Sequence, residues 1–324
     1  MNFIDSIRER AKAKLHKVVL PEGTDPRMVK AAEIIHREKI ADVVILGDES
    51  ELQKIAATEG ADLSAVKIIN PGKTEYFEKY VEKYSELRKH KGVDLAVARK
   101  MMTNPLFFGA MMVREKMVDM SLAGAVNTTG NVLRAGIQVV GMAEGFSTVS
   151  SFFLMVLPDG KVLSFADCGV VPNPNATQLA EIAIATSQSH QKMTGEEPYV
   201  AMLSFSTKGS ASHELIDKVV EATELARQKA PNLKIDGELQ LDAAIVESVA
   251  AKKAKGSPVA GKANVLIFPD LQAGNIGYKL TERLGKAQAL GPIIQGLAKP
   301  ANDLSRGCKV DDIVTMTAIC SLMV

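Results

Sequence analysis

Short aliphatic runs separated by helical stretches constrain this chain more than any other feature. Lys17–Leu20 (KVVL), Asp42–Leu46 (DVVIL) and Val66–Ile69 (VKII) have almost no polar face to offer to water. Such strands belong in a parallel sheet covered on both sides by helices. Turn residues close each run: Pro21-Glu22-Gly23, Gly47-Asp48 and Asn70-Pro71-Gly72. Asp48 reads as the N-cap of a helix from Glu49 to Ala57. Phe3, Ile7 and Ala11 share one face of a first helix read over Met1 to Lys17, a segment without the apolar core of a targeting peptide.

The pattern continues beyond the third strand. A charged helix from Thr74 to about His90 ends in Arg88-Lys89-His90-Lys91, where cations suit the helix dipole. Asn104-Pro105 opens a Met-rich helix to Lys116. Asp119–Val126 is a strand that feeds Asn127-Thr128-Thr129-Gly130-Asn131 and then a helix bearing Arg134. Near Gly145 the texture changes: Thr148–Leu157, Pro158-Asp159-Gly160 and Lys161–Ala166 read as a hairpin inserted at the start of a second domain. A helix over Asn175–Met193, a strand at Tyr199–Phe205, a helix to Ala230, a helical stretch Leu239–Ala254 and a strand at Ala263–Phe268 follow. A chain of 324 residues can support two α/β domains.

Composition removes several classes of function. A net charge of +1 without a basic block argues against nucleic acid as a partner. No apolar run approaches the ~20 residues that span a bilayer, so no membrane association is expected. The three cysteines form no CxxC pair and the five histidines are scattered, which argues against disulfides and against a metal site. Gly256–Lys262 has P-loop spacing, but Ala263 stands where the magnesium-binding hydroxyl belongs, and the order is helix, loop, strand. No GxGxxG follows the first strand, and no GxSxG elbow is present.

Three strand-to-helix turns carry groups suited to a ligand: Thr128 and Thr129, Ser206 and Lys208, and Gly274 and Asn275. Carboxyl ends of strands are where open α/β sheets bind ligands. A fourth stretch, Asn302–Val314, packs Ser305, Arg306, Cys308 and three aspartates around Gly307 before an apolar run. Its composition suits an anion at a helix N-terminus, although Asp311 or Asp312 could equally be a plain N-cap.

The segments Leu203–Ala211 (LSFSTKGSA), Asp236–Ala244 (DGELQLDAA), Ala260–Gly277 (AGKANVLIFPDLQAGNIG) and Gly291–Cys308 (GPIIQGLAKPANDLSRGC) together resemble the phosphate acetyltransferase, or phosphotransacetylase, family. The resemblance runs from the first helix to the end and is densest from Ser204 onward. It implies reversible acetyl transfer between phosphate and the thiol of coenzyme A, with coenzyme A as substrate and no tightly bound cofactor. It also implies a cytoplasmic homodimer with two α/β domains and a cleft between them, as in the isocitrate and isopropylmalate dehydrogenases. The N-terminal domain would comprise residues 1–147 and 297–324, and the second, residues 148–296. By resemblance, Asp312 matches the base for the thiol proton, Ser305 the group that bonds the reacting acyl or thiol, and Arg306 the arginine on the acyl phosphate. Arg88 and Arg134 match arginines for coenzyme A or phosphate. Asn131 and Ala135 depart from the family turn, which often has aspartate and proline there. Rival readings are a phosphate butyryltransferase and a non-catalytic acetyl-CoA-sensing domain.

The base has a chemical difficulty. An aspartate near pKa ~3.9 facing a thiol near ~8.5 leaves roughly 6 kcal/mol uphill for full proton transfer. The proton must therefore leave in concert with attack, or the thiol must be acidified. Cys308 is the tempting covalent nucleophile, but no histidine lies near it in sequence. A structural or substrate-proximal role fits it better.

Overall fold

The computed structural model describes residues 2–324; Met1, the head of the first expected helix, lies outside the described residues. Two compact units are present, one running up to Ala143 and resuming at Leu297 through Val324, the other spanning Glu144–Gly296.

The first unit begins with α1 (Phe3–Lys12), β1 (His16–Leu20), α2 (Pro26–Arg37), β2 (Ala41–Leu46), α3 (Glu49–Glu59) and β3 (Lys67–Ile69). It continues with α4 (Phe77–Arg88), α5 (Leu95–Met102), α6 (Pro105–Arg114), β4 (Met120–Ala123) and α7 (Thr129–Ala135), which widens into a π-helical turn over Gly136–Val140. The second unit holds β5 (Ser150–Val156), β6 (Val162–Ala166), α8 (Ala176–Thr194), β7 (Tyr199–Leu203), α9 (Glu214–Lys229), β8 (Lys234–Leu239), α10 (Leu241–Ile245), α11 (Glu247–Lys253), β9 (Val265–Ile267), α12 (Leu271–Arg283) and β10 (Gln288–Gln295). The chain then returns to the first unit with β11 (Ala301–Asp303) and α13 (Val310–Met323).

The first sheet is parallel throughout, in the order β11-β4-β1-β2-β3. Its inner strands β1, β2 and β4 are largely buried on both faces, as their aliphatic character requires. From β1 the chain builds outward to β2 and β3, then crosses back to place β4 on the other side of β1. That reversal is a topological switch point, where strand ends splay and leave a crevice. The turns that follow β1, β4 and β11 all open there.

The second sheet, ordered β10-β5-β6-β9-β7-β8, is mixed: β10, β5 and β6 pair antiparallel, while β6, β9, β7 and β8 run parallel. The hairpin at Pro158–Gly160 forms, but it is not an insertion. Its second strand, β6, registers against β9 (Phe165 with Leu266) and so belongs to the body of the sheet. Three strands differ from the sequence reading. β8 (KIDGEL) carries two acids, β10 contains Gly291-Pro292, and β11 is only Ala-Asn-Asp, so none shows an aliphatic run. The stretch expected to be helical over Leu239–Ala254 begins as the last residue of β8 and is split at Val246, whose backbone is extended.

Gly274 lies in the first turn of α12 rather than in the preceding loop. A Cβ there would fall 2.1 Å from the Asp167 carbonyl oxygen, so the glycine lets α12 press against the backbone after β6. Alanine ordinarily gains about 1 kcal/mol over glycine within a helix. Here the clash is with a fixed backbone atom, and Gly274→Ala is expected to lose about 1–3 kcal/mol. Urea unfolding should show a lower midpoint at an unchanged slope.

Candidate active site

The Ser305–Asp312 loop is held from behind by one guanidinium. Arg27, in the first turn of α2, donates from Nη1 to the carbonyls of Arg306 and Cys308, both at 2.8 Å. From Nη2 it donates to the Ala125 carbonyl at 2.8 Å and to Asp25 Oδ2 at 2.7 Å. Asp25 also caps α2 through the Arg27 N–H. The pairing keeps the Asp25 carboxyl below its usual range and raises Arg27, chiefly through their mutual hydrogen bond. The loop closes on itself as well: the Cys308 N–H donates to the Ser305 carbonyl at 2.9 Å, and the Gly307 N–H to Ser305 Oγ at 3.2 Å.

This scaffold leaves the chemical groups unspent. Ser305 Oγ accepts from Gly307, so its proton remains available to a ligand. The Arg306 side chain is exposed and makes no hydrogen bond or ion pair among the described residues. Asp312 Oδ2 accepts from the Lys309 N–H at 2.8 Å, the backbone half of a capping box at the start of α13. Its Oδ1 has no partner among the described residues. The N-cap of α13 is Lys309, so neither Asp311 nor Asp312 is the cap that the sequence offered; Asp312 is the N3 residue, one oxygen fixing it and the other left free for the base role. Asp311 is spent differently, on Arg8 of α1.

Cys308 faces inward. It is 7% exposed, and burial raises its thiol above the ordinary range despite Arg27 nearby. A thiol held protonated is a poor nucleophile, and the structure gives Cys308 a packing role.

Glu22, in the turn after β1, was no candidate in sequence and proves central. One of its oxygens accepts from the N–H groups of Gly124 and Ala125, both at 2.8 Å. The other accepts from the N–H groups of Val126 and Asn127 and from Asn127 Nδ2. The backbone nest that looked suited to phosphate is therefore filled by the protein's own carboxylate. Thr129 donates its hydroxyl to Asp303 and is likewise not free for a ligand. Thr128 caps α7, accepting from the Asn131 N–H at 3.3 Å.

What remains for an anion near this turn is Arg134. It is exposed on α7, lies over the Phe107 ring at 5.9 Å, and reaches Asn131 Oδ1 at 3.5 Å. Asn131, unlike the aspartate common at this position, holds Arg134 without neutralising it. Arg88 ends α4, and its Nε is buried without a partner. Both arginines act on the Tyr84 phenol, opposing the upward push that burial gives its pKa. Arg88 and Arg134 thus both act on Tyr84, and neither pairs with an acid among the described residues. By contrast Arg8, Arg27, Arg37, Arg99, Arg227 and Arg283 each pair with an acid.

In the second unit the expected ligand groups turn inward. Ser206 is fully buried and donates to Glu238, which also accepts from the Gly209 N–H. Lys208 Nζ bonds Asp236 and the Gly237 carbonyl. Asp236 gathers Arg227 and Ser257 too, and these bonds outweigh burial to keep its carboxyl low. The P-loop look-alike is accounted for by Ser257, which ties that turn to β8. Asn275 donates to the Cys168 carbonyl at 3.1 Å. Ser206, Lys208 and Asn275 each spend a donor on their own turns, and Gly274 serves close packing.

Among the described residues no group of three or more His, Cys, Asp or Glu is placed to hold a metal ion. No described helix is long and apolar enough to cross a membrane.

A family model described as phosphate acetyl/butaryl transferase matches residues 2–321. The chain belongs to that family. It is 54% identical over 323 residues to the phosphate acetyltransferase of Thermoanaerobacterium thermosaccharolyticum, with 98% of each chain covered. Against the enzyme of Clostridium acetobutylicum it is 49% identical over 324 residues, covering 98% of this chain and 97% of that one. Among solved structures it matches a phosphotransacetylase from Streptococcus pyogenes with a TM-score of 0.96 at 42% identity, over 99% and 97% of the two chains. A phosphotransacetylase from Staphylococcus aureus matches with a TM-score of 0.93 at 40% identity, over 99% and 98%. The chain is accordingly an acyltransferase of the phosphate acetyltransferase family.

Hydrogen bonds to a charged group contribute roughly 1.5–3 kcal/mol each. Glu22→Gln keeps the shape but turns an amide NH₂ toward backbone donors. It is expected to lower thermal stability and to reduce kcat at least tenfold, checked by calorimetry and a thiol-detection assay.

Proposed function

We propose that the chain catalyses acetyl-CoA + phosphate = CoA + acetyl phosphate, by direct attack of the coenzyme A thiol on acetyl phosphate in a ternary complex. One observation carries this reading: a loop fixed from behind by Arg27 leaves the Ser305 O–H proton, the Arg306 guanidinium and Asp312 Oδ1 without a protein partner among the described residues, while Ser305 Oγ accepts from Gly307 and Asp312 Oδ2 from Lys309. Each has a separate task in acyl transfer.

Arg306 binds the phosphoryl group, where a planar guanidinium can pair bidentately with its oxygens. The Ser305 hydroxyl donates to the carbonyl oxygen as it becomes an oxyanion; one such donor is typically worth ~10²–10³ in rate. Asp312 Oδ1 takes the thiol proton. Because full transfer to an aspartate lies roughly 6 kcal/mol uphill, sulfur attacks as the proton leaves. The tetrahedral intermediate then expels phosphate, whose charge Arg306 stabilises. Arg88 and Arg134 take the anionic groups of coenzyme A. Coenzyme A is a substrate, and no tightly bound cofactor enters the scheme.

Each of the two α/β units corresponds in this reading to a domain of the dehydrogenase-like fold. The pairing is a homodimer, supported by an unpartnered aliphatic stripe on α12. Ile276, Leu280 and Leu284 recur every fourth residue and are 58%, 52% and 77% exposed. Three free cysteines suit a reducing compartment, and we place the protein in the cytoplasm.

The family includes butyryl transfer as well. A methylene in an apolar pocket changes selectivity by only ~1–3 kcal/mol. The ratio of kcat/KM for acetyl over butyryl phosphate, measured in EDTA, is expected to favour acetyl; a reversed ratio assigns the chain to butyryl transfer. No turnover with either would leave a binding domain. Asp312→Asn is expected to lower kcat by at least tenfold, within the ~10²–10⁴ range of general-base loss. Arg88→Ala and Arg134→Ala should raise the KM for coenzyme A with a smaller effect on kcat. Cys308→Ala should retain turnover, and intact-protein mass spectrometry of the working enzyme should find no acetyl adduct.

A further inference from the structure

Two residues before Ser305 stands a carboxylate that the scheme above does not use. Asp303 ends β11 and is 1% exposed. Its Oδ2 accepts the hydroxyl of Thr129, the first residue of α7. Its Oδ1 is buried with no partner. The adjacent Leu304 N–H is taken by the Ala123 carbonyl at 2.8 Å. At the end of β4, Gly124 has φ +115°, and a Cβ on it would fall 2.3 Å from Asp303 Oδ1 and 2.6 Å from the Leu304 nitrogen. Only glycine fits there, because the ends of β4 and β11 close upon this side chain.

We propose that Asp303 is a positioning residue: its carboxylate joins α7, which carries Arg134, to the strand end that carries Ser305 and Arg306, and its charge decides how that joint is made. Ionised, it can only accept, and the Thr129 hydroxyl must point to it. Protonated, it becomes a donor, Thr129 is released from its obligatory orientation, and the spacing of α7 from the Ser305 loop is no longer enforced. An unpartnered carboxylate oxygen in a dry site is costly. Such a cost persists in the fold here beside the residues that perform the chemistry.

The charged groups on the elements around Asp303 are Glu22 in the β1–α2 turn, Asp25 and Arg27 on α2, and Arg134 on α7. Arg27 is occupied by Asp25, and Glu22 faces Asp303 as a like charge. Burial first, and then Glu22, raises the Asp303 carboxyl from 3.8 to about 6, while the Thr129 hydrogen bond and the nearby Leu304 N–H oppose the rise. Between those two values the folded chain keeps a proton that the unfolded chain has shed. Stability therefore falls as pH rises through that window, while the active, ionised form of the joint accumulates.

The proposal rests on the acyl-transfer reading, which wild-type turnover tests separately. Initial rates of acetyl-CoA formation from acetyl phosphate and coenzyme A, taken across pH for wild type, Asp303→Asn and Thr129→Val, decide it. The wild type should show an acid limb in kcat with an apparent pKa of about 6. Asp303→Asn should abolish that limb and lower kcat roughly tenfold to a hundredfold, leaving both KM values nearly unchanged. Thr129→Val should move the limb to higher pH, because it removes the bond that favours the ionised form. An Asp303→Asn limb identical to wild type, an unmoved limb in Thr129→Val, or a loss confined to KM would each overturn the proposal. If Asp303→Asn does not fold by circular dichroism, the Thr129→Val limb is the deciding measurement: a move to higher pH supports the joint, and no move or a move to lower pH overturns it.

Discussion

The guanidinium of Arg27 is the interaction on which the candidate active site depends. It ties together the start of α2, the turn after β4 and the loop after β11 with short hydrogen bonds to three carbonyls and one carboxylate. Arginine suits this task because its donors sit in a rigid planar fork and stay charged. Glu22 does the reciprocal work beside it, collecting the backbone donors of Gly124 through Asn127. A positive group gathers carbonyls, a negative group gathers amides, and three loops from distant parts of the sequence become one rigid surface. The Ser305 O–H proton, the Arg306 side chain and Asp312 Oδ1 can then remain unpartnered among the described residues without the loop losing its shape.

The same device recurs in the second unit. Asp167, buried after β6, accepts from Ser151 and from the N–H groups of Gly169, Val170 and Val171. Glu238 does so for the turn after β7. Strand ends of an open sheet expose a field of N–H donors that attracts anions. This chain satisfies much of that field internally, and the arginines left without acids are the cationic groups that remain for an anion.

The alternation of strand and helix was legible because apolar runs of β1, β2, β4, β7 and β9 have a physical signature in one dimension. β11 has none: Ala301, Asn302 and Asp303 form a strand only because β4 offers them an edge. β8 and β10 were hidden by acids and by a proline for the same reason. The Ser305–Asp312 loop could be read from its crowding of reactive side chains. Glu22 and Arg27 could not, since a glutamate between proline and glycine and an arginine after Asp-Pro look like ordinary turn and cap residues. Their importance arises from partners about a hundred and nearly three hundred positions away. Nor could the sequence show that Ser206, Lys208, Gly274 and Asn275, read as ligand groups, also serve the packing of their own turns.

The return of the chain to its first unit has a consequence for how the molecule is made. Residues 144–296 are contiguous and contain every strand of their own sheet. The first unit has to wait, with β4 as an open edge, until Ala301–Asp303 has left the ribosome. Helices α1 to α7 and four strands are synthesised first, and β11 and α13 complete the unit after the whole second unit has emerged. An unpaired parallel edge is prone to mispairing with other chains. The segment that closes that edge also carries Ser305, Arg306 and Asp312, so the candidate site is assembled only as that edge is paired.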